Sequence, residues 1–308
     1  MAPRRIHTPR KGDVAPSLAA SVSSTVGETL RHGISVLSES SGSARADALL
    51  LLEHVLGQAR EWIVAHGEAD VSEADFSLFI DLCKRRSLGE PIAYIIGSAW
   101  FCGREFIVDK SVLIPRPETE HLVEEAVAFI QARGGGRVLD VGTGSGAIAC
   151  SIAAETGVFV DATDISPEAI VMAMENSRRL KIADRCRFFH GNLVEPIIDE
   201  RYDVIVANLP YVPTAELAAA PDPTSFEPRI ALDGGPDGLS LYRELMRDIP
   251  SLIAENGLVL LEAAPPTIAK LDELTRAALA NFSVSICCDY AGLARYLIGA
   301  SGAVNRAA

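Results

Sequence analysis

Residues 203–213 read DVIVANLPYVP. Asp203 to Ala207 is short, apolar and β-branched, as suits a strand covered on both faces. Asn208 then falls at the strand's carboxyl end, the edge where open parallel sheets bind ligands. Pro210 holds Leu209 extended and stops any helix. Tyr211 adds a flat face with a hydroxyl at its tip. Alone, the segment also reads as an ordinary strand-ending turn. A second constellation bears on that choice. RVLDVGTGSGAIACSIA is a strand, a glycine turn and a helix. Gly142, Gly144 and Gly146 let a ligand approach the backbone closely. Asp164 ends the next strand, where a carboxylate can accept hydrogen bonds from two ribose hydroxyls.

The loop spacing is G-x-G-x-G, not the G-x-G-x-x-G of a dinucleotide site, and Asp140 precedes it. A carboxylate beside the loop disfavours a phosphate and suits a cationic amino-acid end. That points to S-adenosylmethionine, which carries an ammonium group and a sulfonium but no phosphate. A tight strand–helix turn without a ligand is the alternative.

With a methyl donor on one side, Asn208-Leu209-Pro210-Tyr211 suggests a nitrogen acceptor. An amide or aromatic amine is a poor nucleophile because its lone pair is delocalised. Two acceptors on its two N–H bonds would aim that lone pair at the methyl carbon. The Asn208 side-chain oxygen is one such acceptor. A backbone carbonyl of the extended segment, that of Leu209, is the other. Tyr211 can stack on a planar group or line the sulfonium. No strong base is needed, since nitrogen can lose its proton after gaining the methyl group.

These groups need a parallel sheet to position them. Strands are expected at Arg137 to Val141, Val158 to Thr163, Cys186 to His190, Asp203 to Ala207 and Gly257 to Glu262. A final pair is expected near Ser283 to Cys287 and Ala294 to Ile298. Helices alternate with them near Gly146 to Glu155, Pro167 to Leu180, Leu239 to Ile253 and Thr267 to Ala280. This is an α/β, doubly wound sheet. Before it, VLIPRPETEHLVEEAVAFI has an extended start at Pro115 and Pro117, then a helix burying Leu122, Val123, Ala126, Val127 and Ile130. Residues 17–88 read as a small helical bundle. ARADALLLLEHVL, 44–56, puts Ala48, Leu51, Leu52, Val55 and Leu56 on one stripe, and DFSLFIDLCKRR, 75–86, is a second amphipathic helix. Residues 89–111, in which aromatic and β-branched runs are split by Gly97 and Gly103, read as a hairpin linker.

The chain has 308 residues, is 48% hydrophobic and carries a net charge of -13. A phosphate backbone would need clustered Lys and Arg, so direct nucleic-acid binding is not expected. The six cysteines form no CxxC pair, which suits a reducing cytoplasm. The scattered histidines offer no zinc spacing. No apolar run approaches the roughly 18 residues a membrane span needs. MAPRRIHTPRKG lacks the apolar centre of a secretion signal, and residues 1–16 read as a disordered basic tail.

The chain resembles the HemK/PrmC family, the peptide chain release factor N5-glutamine methyltransferases. The resemblance runs through ARADALLLLEHVLG, RRSLGEPIAYIIG, FCGREFIVDKSVLIPRPETEHLVEEA, LDVGTGSGAIA, DISPEAI, NLPYV and EPRIALDGGPDGLSLYREL, with a weaker DYAGLARYL. It implies a class I S-adenosylmethionine-dependent methyltransferase domain (Rossmann-like) over 112–308, a hairpin linker over 89–111, and an N-terminal helical domain over 17–88 for substrate recognition. The implied acceptor is the glutamine of the Gly-Gly-Gln loop of class 1 release factors, with the enzyme a cytoplasmic monomer. Gly142, Thr143, Gly144, Ser145 and Gly146, with Asp164 and Ile165, would carry the cofactor. Asn192 and Leu193 would take the adenine side, and Asn208 would serve both ligands. Asn208, Leu209, Pro210 and Tyr211 would hold the glutamine amide. Arg116, Pro117 and Thr119 would line the cleft. For Arg116 the alternative is a structural clamp on Glu118 or Glu120.

Several positions depart from the family pattern. Leu209 stands where the family usually has proline, which keeps the carbonyl but frees φ. Asn192 replaces the usual aspartate and Leu193 a bulkier neighbour. The strand that usually ends Glu-Ile-Gly reads Glu262-Ala263-Ala264. Two other readings stay open here. One is an adenine-N6 methyltransferase of nucleic acid, whose motif Asn-Leu-Pro-Tyr also resembles. The other is a divergent member that methylates another protein or a small molecule, or only binds cofactor.

Overall fold

The computed structural model describes residues 24–219 and 221–301. The basic tail expected over 1–16 lies outside them. The chain falls into two compact units, divided between Lys84 and Arg85.

The first unit is built on helices α1 (Val26–Leu37), α2 (Ala44–Leu56), α3 (Arg60–Ala65) and the start of α4 (Glu73–Ser87). Thr25 opens α1 with a reciprocal capping box: it accepts from the Glu28 N–H, and the Glu28 carboxylate takes the Thr25 N–H at 3.0 Å, so two orphan donors are satisfied at once. Gly57 stops α2 in the left-handed region, as its position predicts. Leu37, Leu51, Leu52, Ile63 and Phe79 are buried. The unit is not purely helical as expected. Ser24–Thr25 (β1) and Asp70–Val71 (β2) pair antiparallel, a contact too short to leave a period in the sequence.

The second unit opens with a correction. Tyr94-Ile95-Ile96, expected as part of a hairpin, belongs to a short helix, α5 (Ile92–Ile96), which Gly97 ends at φ 79°. Pro91 precedes it, and the buried Tyr94 hydroxyl donates to the Val112 carbonyl at 2.5 Å; that anchor outweighs the run's strand-like composition. The hairpin is confined to β3 (Ser98–Phe101) and β4 (Arg104–Ile107). Its two-residue turn, Cys102-Gly103, has both φ values positive, at 48° and 69°, the conformation that matches strand twist.

A seven-stranded sheet follows, built from β5 (Val138–Val141), β6 (Val160–Asp164), β7 (Cys186–His190), β8 (Tyr202–Ala207), β9 (Ile253–Glu262), β10 (Ser283–Cys288) and β11 (Ala294–Ala300). Its order is β7-β6-β5-β8-β9-β11-β10. The first five strands run parallel, β11 runs against them, and β10, antiparallel to β11, runs with them again. Helices α6 (Glu120–Arg133) and α7 (Ala147–Thr156) share a core with Val138, Val204 and Leu260 on one face. On the other, α9 (Ser240–Leu252) and α10 (Pro265–Ala278) pack with Leu139, Ile205 and Leu261. Burial on both faces explains why 204–207 of β8 and 258–261 of β9 read as unbroken apolar runs. Helix α8 (Pro167–Arg179) starts at Ser166, whose hydroxyl accepts the Ala169 N–H at 3.1 Å, with proline in its first turn.

Register determines where the site lies. Val141 is level with Thr163 on one side and with Ala207 on the other, and Ala207 is level with Leu261. The loops after β5, β6 and β8 therefore emerge together, with Glu262 beside Asn208. The strand order reverses at β5, between β6 and β8, so the crevice above it is the ligand position of a doubly wound sheet.

The buried Asn176 of α8 joins two parts of this frame. Its amide oxygen accepts the Ile107 N–H at 2.7 Å, and its Nδ2 donates to the carbonyls of Ile107, at 3.0 Å, and Ser145, at 2.9 Å.

Candidate active site

A cavity of about 500 Å³ opens above the carboxyl ends of β5, β6 and β8. The glycine loop forms one wall. Gly142 and Gly144 line the cavity with φ of 76° and 55°. A Cβ on Gly142 would fall 2.9 Å from the tip of the Leu209 side chain, so the positive φ favours glycine there and any larger residue would also have to displace Leu209. Gly146 does not line the cavity. A Cβ there would sit 3.0 Å from that of Ala173, so this glycine lets α7 and α8 approach each other.

The loop's own amides argue about the ligand. The Gly142 and Thr143 N–H groups both donate to the Thr163 carbonyl at 2.9 Å, and Gly146 N–H donates to Thr143. Gly144 N–H donates to the Asp164 carboxylate at 2.8 Å. These four donors are therefore already satisfied and do not form the open amide nest that cradles a pyrophosphate.

Asp140 differs from expectation. It is fully buried, accepts from the Thr143 hydroxyl at 2.7 Å and from the Ala149 N–H at 3.2 Å, and does not line the cavity. The pleat turns it to the same face as Val138, beneath the first turn of α7. Burial pushes its carboxyl up to about 7, against the pull of those two hydrogen bonds. Its Oδ1 has no hydrogen-bond partner.

Asp164 does line the cavity. Burial raises its carboxyl, while the Ser166, Gly144 and Ile165 backbone groups hold it down. Its Oδ1 accepts from Ser166 N–H at 2.9 Å. Each carboxylate oxygen can accept twice, which leaves room for ribose hydroxyls. Ile165 is 48% exposed, a large apolar side chain left at the cavity wall. Leu193 lines the same space at φ 44°, and Asn192 is held by its Nδ2 donating to Glu244 at 2.7 Å. A carboxylate with spare lone pairs, apolar walls and satisfied loop amides together fit an adenosine cofactor without phosphate, as S-adenosylmethionine is.

Asn208, Leu209 and Pro210 line the cavity opposite the loop. Asn208 Nδ2 donates to Thr119 Oγ1 at 3.0 Å. Leu209 is buried, and its N–H donates to the Tyr242 hydroxyl at 3.1 Å. Tyr211 is not among the residues lining this cavity, and its hydroxyl donates to Glu262 at 3.3 Å. Burial raises that phenol. Its ring is partly buried against the core of α9 and α10, so Tyr211 also supports the segment from behind.

A smaller recess of about 50 Å³ adjoins the first and shares Gly142, Gly144 and Asn208 with it. Arg116, Thr119, Thr143 and Ser145 line this second space, and Pro117 does not. Pro117 instead begins a 3-10 turn over Pro117–Thr119 that leads into α6. Arg116 clamps neither Glu118 nor Glu120; it pairs with Glu227, whose side chain is 1% exposed. Burial raises the Glu227 carboxyl and Arg116 opposes that rise. Asp233 accepts from the Thr214 hydroxyl at 2.6 Å and from Gly235 N–H at 3.0 Å, ordering the segment that brings Arg229 and Ile230 to the cavity.

Sequence reasoning missed Tyr242, Thr163 and Glu262 as members of the site. Tyr242 lay within a quoted run, GLSLYREL, and Glu262 was read only as a strand end. The signal that joins Glu262 to Asn208 is the pairing of β8 with β9, which no local pattern contains.

Residues 28–97 match the family described as PrmC N-terminal domain, and residues 120–220 the Methyltransferase small domain. The release factor glutamine methyltransferase of Moorella thermoacetica is 38% identical over 249 residues, spanning 80% of this chain and 88% of that protein. The protein of the same description from Bacillus subtilis is 37% identical over 276 residues, spanning 87% and 95%. Among solved structures, the hMettl16 catalytic domain aligns with a TM-score of 0.52 at 14% identity, covering 76% of this chain and 84% of that one; that likeness concerns the fold alone. Among the described residues no helix is long and apolar enough to cross a membrane.

Proposed function

The chain belongs to the release factor glutamine methyltransferase family, and from that premise we propose that it methylates the side-chain nitrogen, N5, of a glutamine in class 1 peptide chain release factors, at their Gly-Gly-Gln loop. One observation of the site carries this reading. Asn208 spends its NH2 on Thr119, which frees its oxygen as an acceptor at the cavity that fits the methyl donor. S-adenosylmethionine, when bound, supplies a methyl group made electrophilic by its sulfonium. Asp164 and Ile165 would hold its ribose side, Asn192 and Leu193 its adenine side, and the glycine loop its amino-acid end, with Asp140 organising that loop from beneath.

Asn208 Oδ1 and the Leu209 carbonyl would accept the two N–H bonds of the glutamine amide. Held by both, the nitrogen keeps its lone pair directed at the reacting centre and is favoured as it becomes tetrahedral. Pro210 fixes the path of the segment, and Tyr211 and Tyr242 brace it. Arg116 and Thr119 shape the adjoining recess, and Pro117 starts the turn that carries Thr119. The N-terminal helical unit would recognise the release factor, with the enzyme acting as a monomer on protein and not on nucleic acid. Its net charge of -13 supports that choice. Release factors act where proteins are made, so the cytoplasm is the proposed place of action.

The test is methyl transfer from labelled S-adenosylmethionine to a purified class 1 release factor. Wild type, Asn208→Ala and a release factor with the Gly-Gly-Gln glutamine replaced are run together. Signal that requires both Asn208 and that glutamine is the expected result. Cofactor binding without transfer to any release factor would mean the acceptor is another molecule.

A further inference from the structure

The reading above, on which this inference rests, needs Asn208 to present its oxygen and not its NH2. The two ends of an asparagine amide are nearly alike in shape, so the hydrogen-bond network chooses between them. Here the amide rests on Thr119, and strand register places one buried carboxylate beside Asn208. Thr119 is 4% exposed and accepts from Asn208 Nδ2 at 3.0 Å. Having accepted there, its hydroxyl must spend its own proton on another acceptor. Glu262 is the carboxylate whose charged form the Thr119 hydroxyl favours. It ends β9 one residue beyond Leu261, which is level with Ala207, and is 1% exposed. Its Oε1 takes the Tyr211 hydroxyl, and its Oε2 is buried with no hydrogen-bond partner, so one acceptor there is unspent.

We propose that Glu262 is a positioning residue that fixes the direction of the Asn208 amide through the Thr119 hydroxyl. An ionised carboxylate can only accept, so Thr119 must donate to it. Thr119 then accepts from Asn208, and Asn208 Oδ1 is left facing the methyl acceptor. The relay therefore filters acceptors by hydrogen-bond polarity: a glutamine NH2 satisfies it, and a glutamate carboxylate meets oxygen with oxygen. Reversing one link reverses all of them. A protonated Glu262, or a glutamine in its place, can donate to Thr119, which then donates to Asn208 Oδ1 and turns the NH2 outward.

The surroundings make the relay sensitive to pH. Burial raises the Glu262 carboxyl to about 7, and Glu118 adds to the rise, while Thr119, Tyr211 and Arg295 oppose it. Tyr242 of α9 donates to the Glu262 backbone carbonyl, and Tyr296 lies opposite on β11. Turnover should therefore fall as pH drops through about 7, because the proton arrives on the group that has to accept.

The experiment compares the full chain as wild type, Glu262→Gln, Thr119→Val and Thr119→Ser, with a release factor as acceptor. Three quantities are measured: kcat against pH, the Kd of S-adenosylmethionine by calorimetry, and the side-chain NH2 signals of Asn208 by NMR. Misaiming the amide should lower kcat on the order of 100-fold in Glu262→Gln and Thr119→Val. Cofactor affinity should hold within about twofold, a factor below the tenfold that 1.4 kcal/mol represents. Thr119→Ser, which keeps the hydroxyl, should restore most of the loss, and Thr119→Val should lose the acid limb of the profile. The Asn208 signals should move in both defective variants and with pH near 7. An acid limb that persists in Glu262→Gln, unchanged kcat in Thr119→Val, or a Thr119→Ser as impaired as Thr119→Val, overturns the relay. If wild type methylates no release factor, the substrate reading has failed, and the Asn208 signals decide the relay alone: no movement in the variants overturns it.

Discussion

Replacing Leu209 by proline tests what the departure from the family pattern does here. Proline has no N–H, and the Leu209 N–H donates to the Tyr242 hydroxyl at 3.1 Å. Tyr242 is fully buried, and its hydroxyl also serves the carbonyls of Glu262 and Ala207, so water cannot replace the lost donor. A buried polar atom deprived of its partner costs about 1–3 kcal/mol. Proline also removes the equivalent of one methylene from the core beside Gly142, about 0.8 kcal/mol. Against this, a stiffer unfolded chain returns about 0.4–1 kcal/mol. The net expectation is a loss of about 1–3 kcal/mol, or roughly 4–8 °C in Tm for a loss near 2 kcal/mol in a domain of this size. Thermal and urea unfolding of Leu209→Pro, Tyr242→Phe and the double variant form a thermodynamic cycle. The double variant should lose at least about 1 kcal/mol less than the sum of the singles, since each removes the same bond. Strict additivity, or a proline variant as stable as wild type, would refute the reasoning.

Three further outcomes follow from the geometry. Asp164→Ala should weaken S-adenosylmethionine binding on the order of 10- to 100-fold by calorimetry, since hydrogen bonds to a charged group are worth about 1.5–3 kcal/mol. Arg116→Ala should destabilise by about 3 kcal/mol near neutral pH, because it leaves the buried Glu227 carboxylate unpaired. Burial already raises Glu227; without Arg116 it rises further, so the folded state holds its proton to higher pH, and the deficit in urea unfolding should grow with rising pH and shrink on acidification. Gly33→Ala should destabilise the N-terminal unit by about 1–3 kcal/mol, because the added Cβ would lie 2.3 Å from the Phe79 ring. Circular dichroism melts would detect that loss.

The sequence was most legible where period and boundary signals agreed. Ala44–Leu56 and Cys186–His190 are the elements expected, residue for residue. Strand β9 begins earlier than expected, at Ile253, because Ala254-Glu255-Asn256 carries no strand composition and pairing alone extends it. Tyr94–Ile96 misled because an aromatic, β-branched run fits a strand, while the Tyr94 hydroxyl and the Val112 carbonyl that settle it lie apart in sequence. Within the site, residue types were easier to read than directions. Asp140 and Tyr211 stand next to the cavity in sequence, yet one is turned under α7 and the other towards Glu262. The pleat and the packing decide those directions, and neither is written in a motif.

Asn176 has a consequence for how this molecule opens. One side chain closes three hydrogen bonds, two to Ile107 at the end of the hairpin and one to Ser145 in the glycine loop. The hairpin strand cannot peel away without stranding a buried amide, and the loop carbonyl would lose its donor in the same event. Local unfolding of the two segments is thereby made one cooperative event. Backbone amides in β4 and in the glycine loop should exchange with deuterium together and gain protection together when cofactor binds. The segment that follows the helical unit thus shares its breathing with the loop that grips the methyl donor.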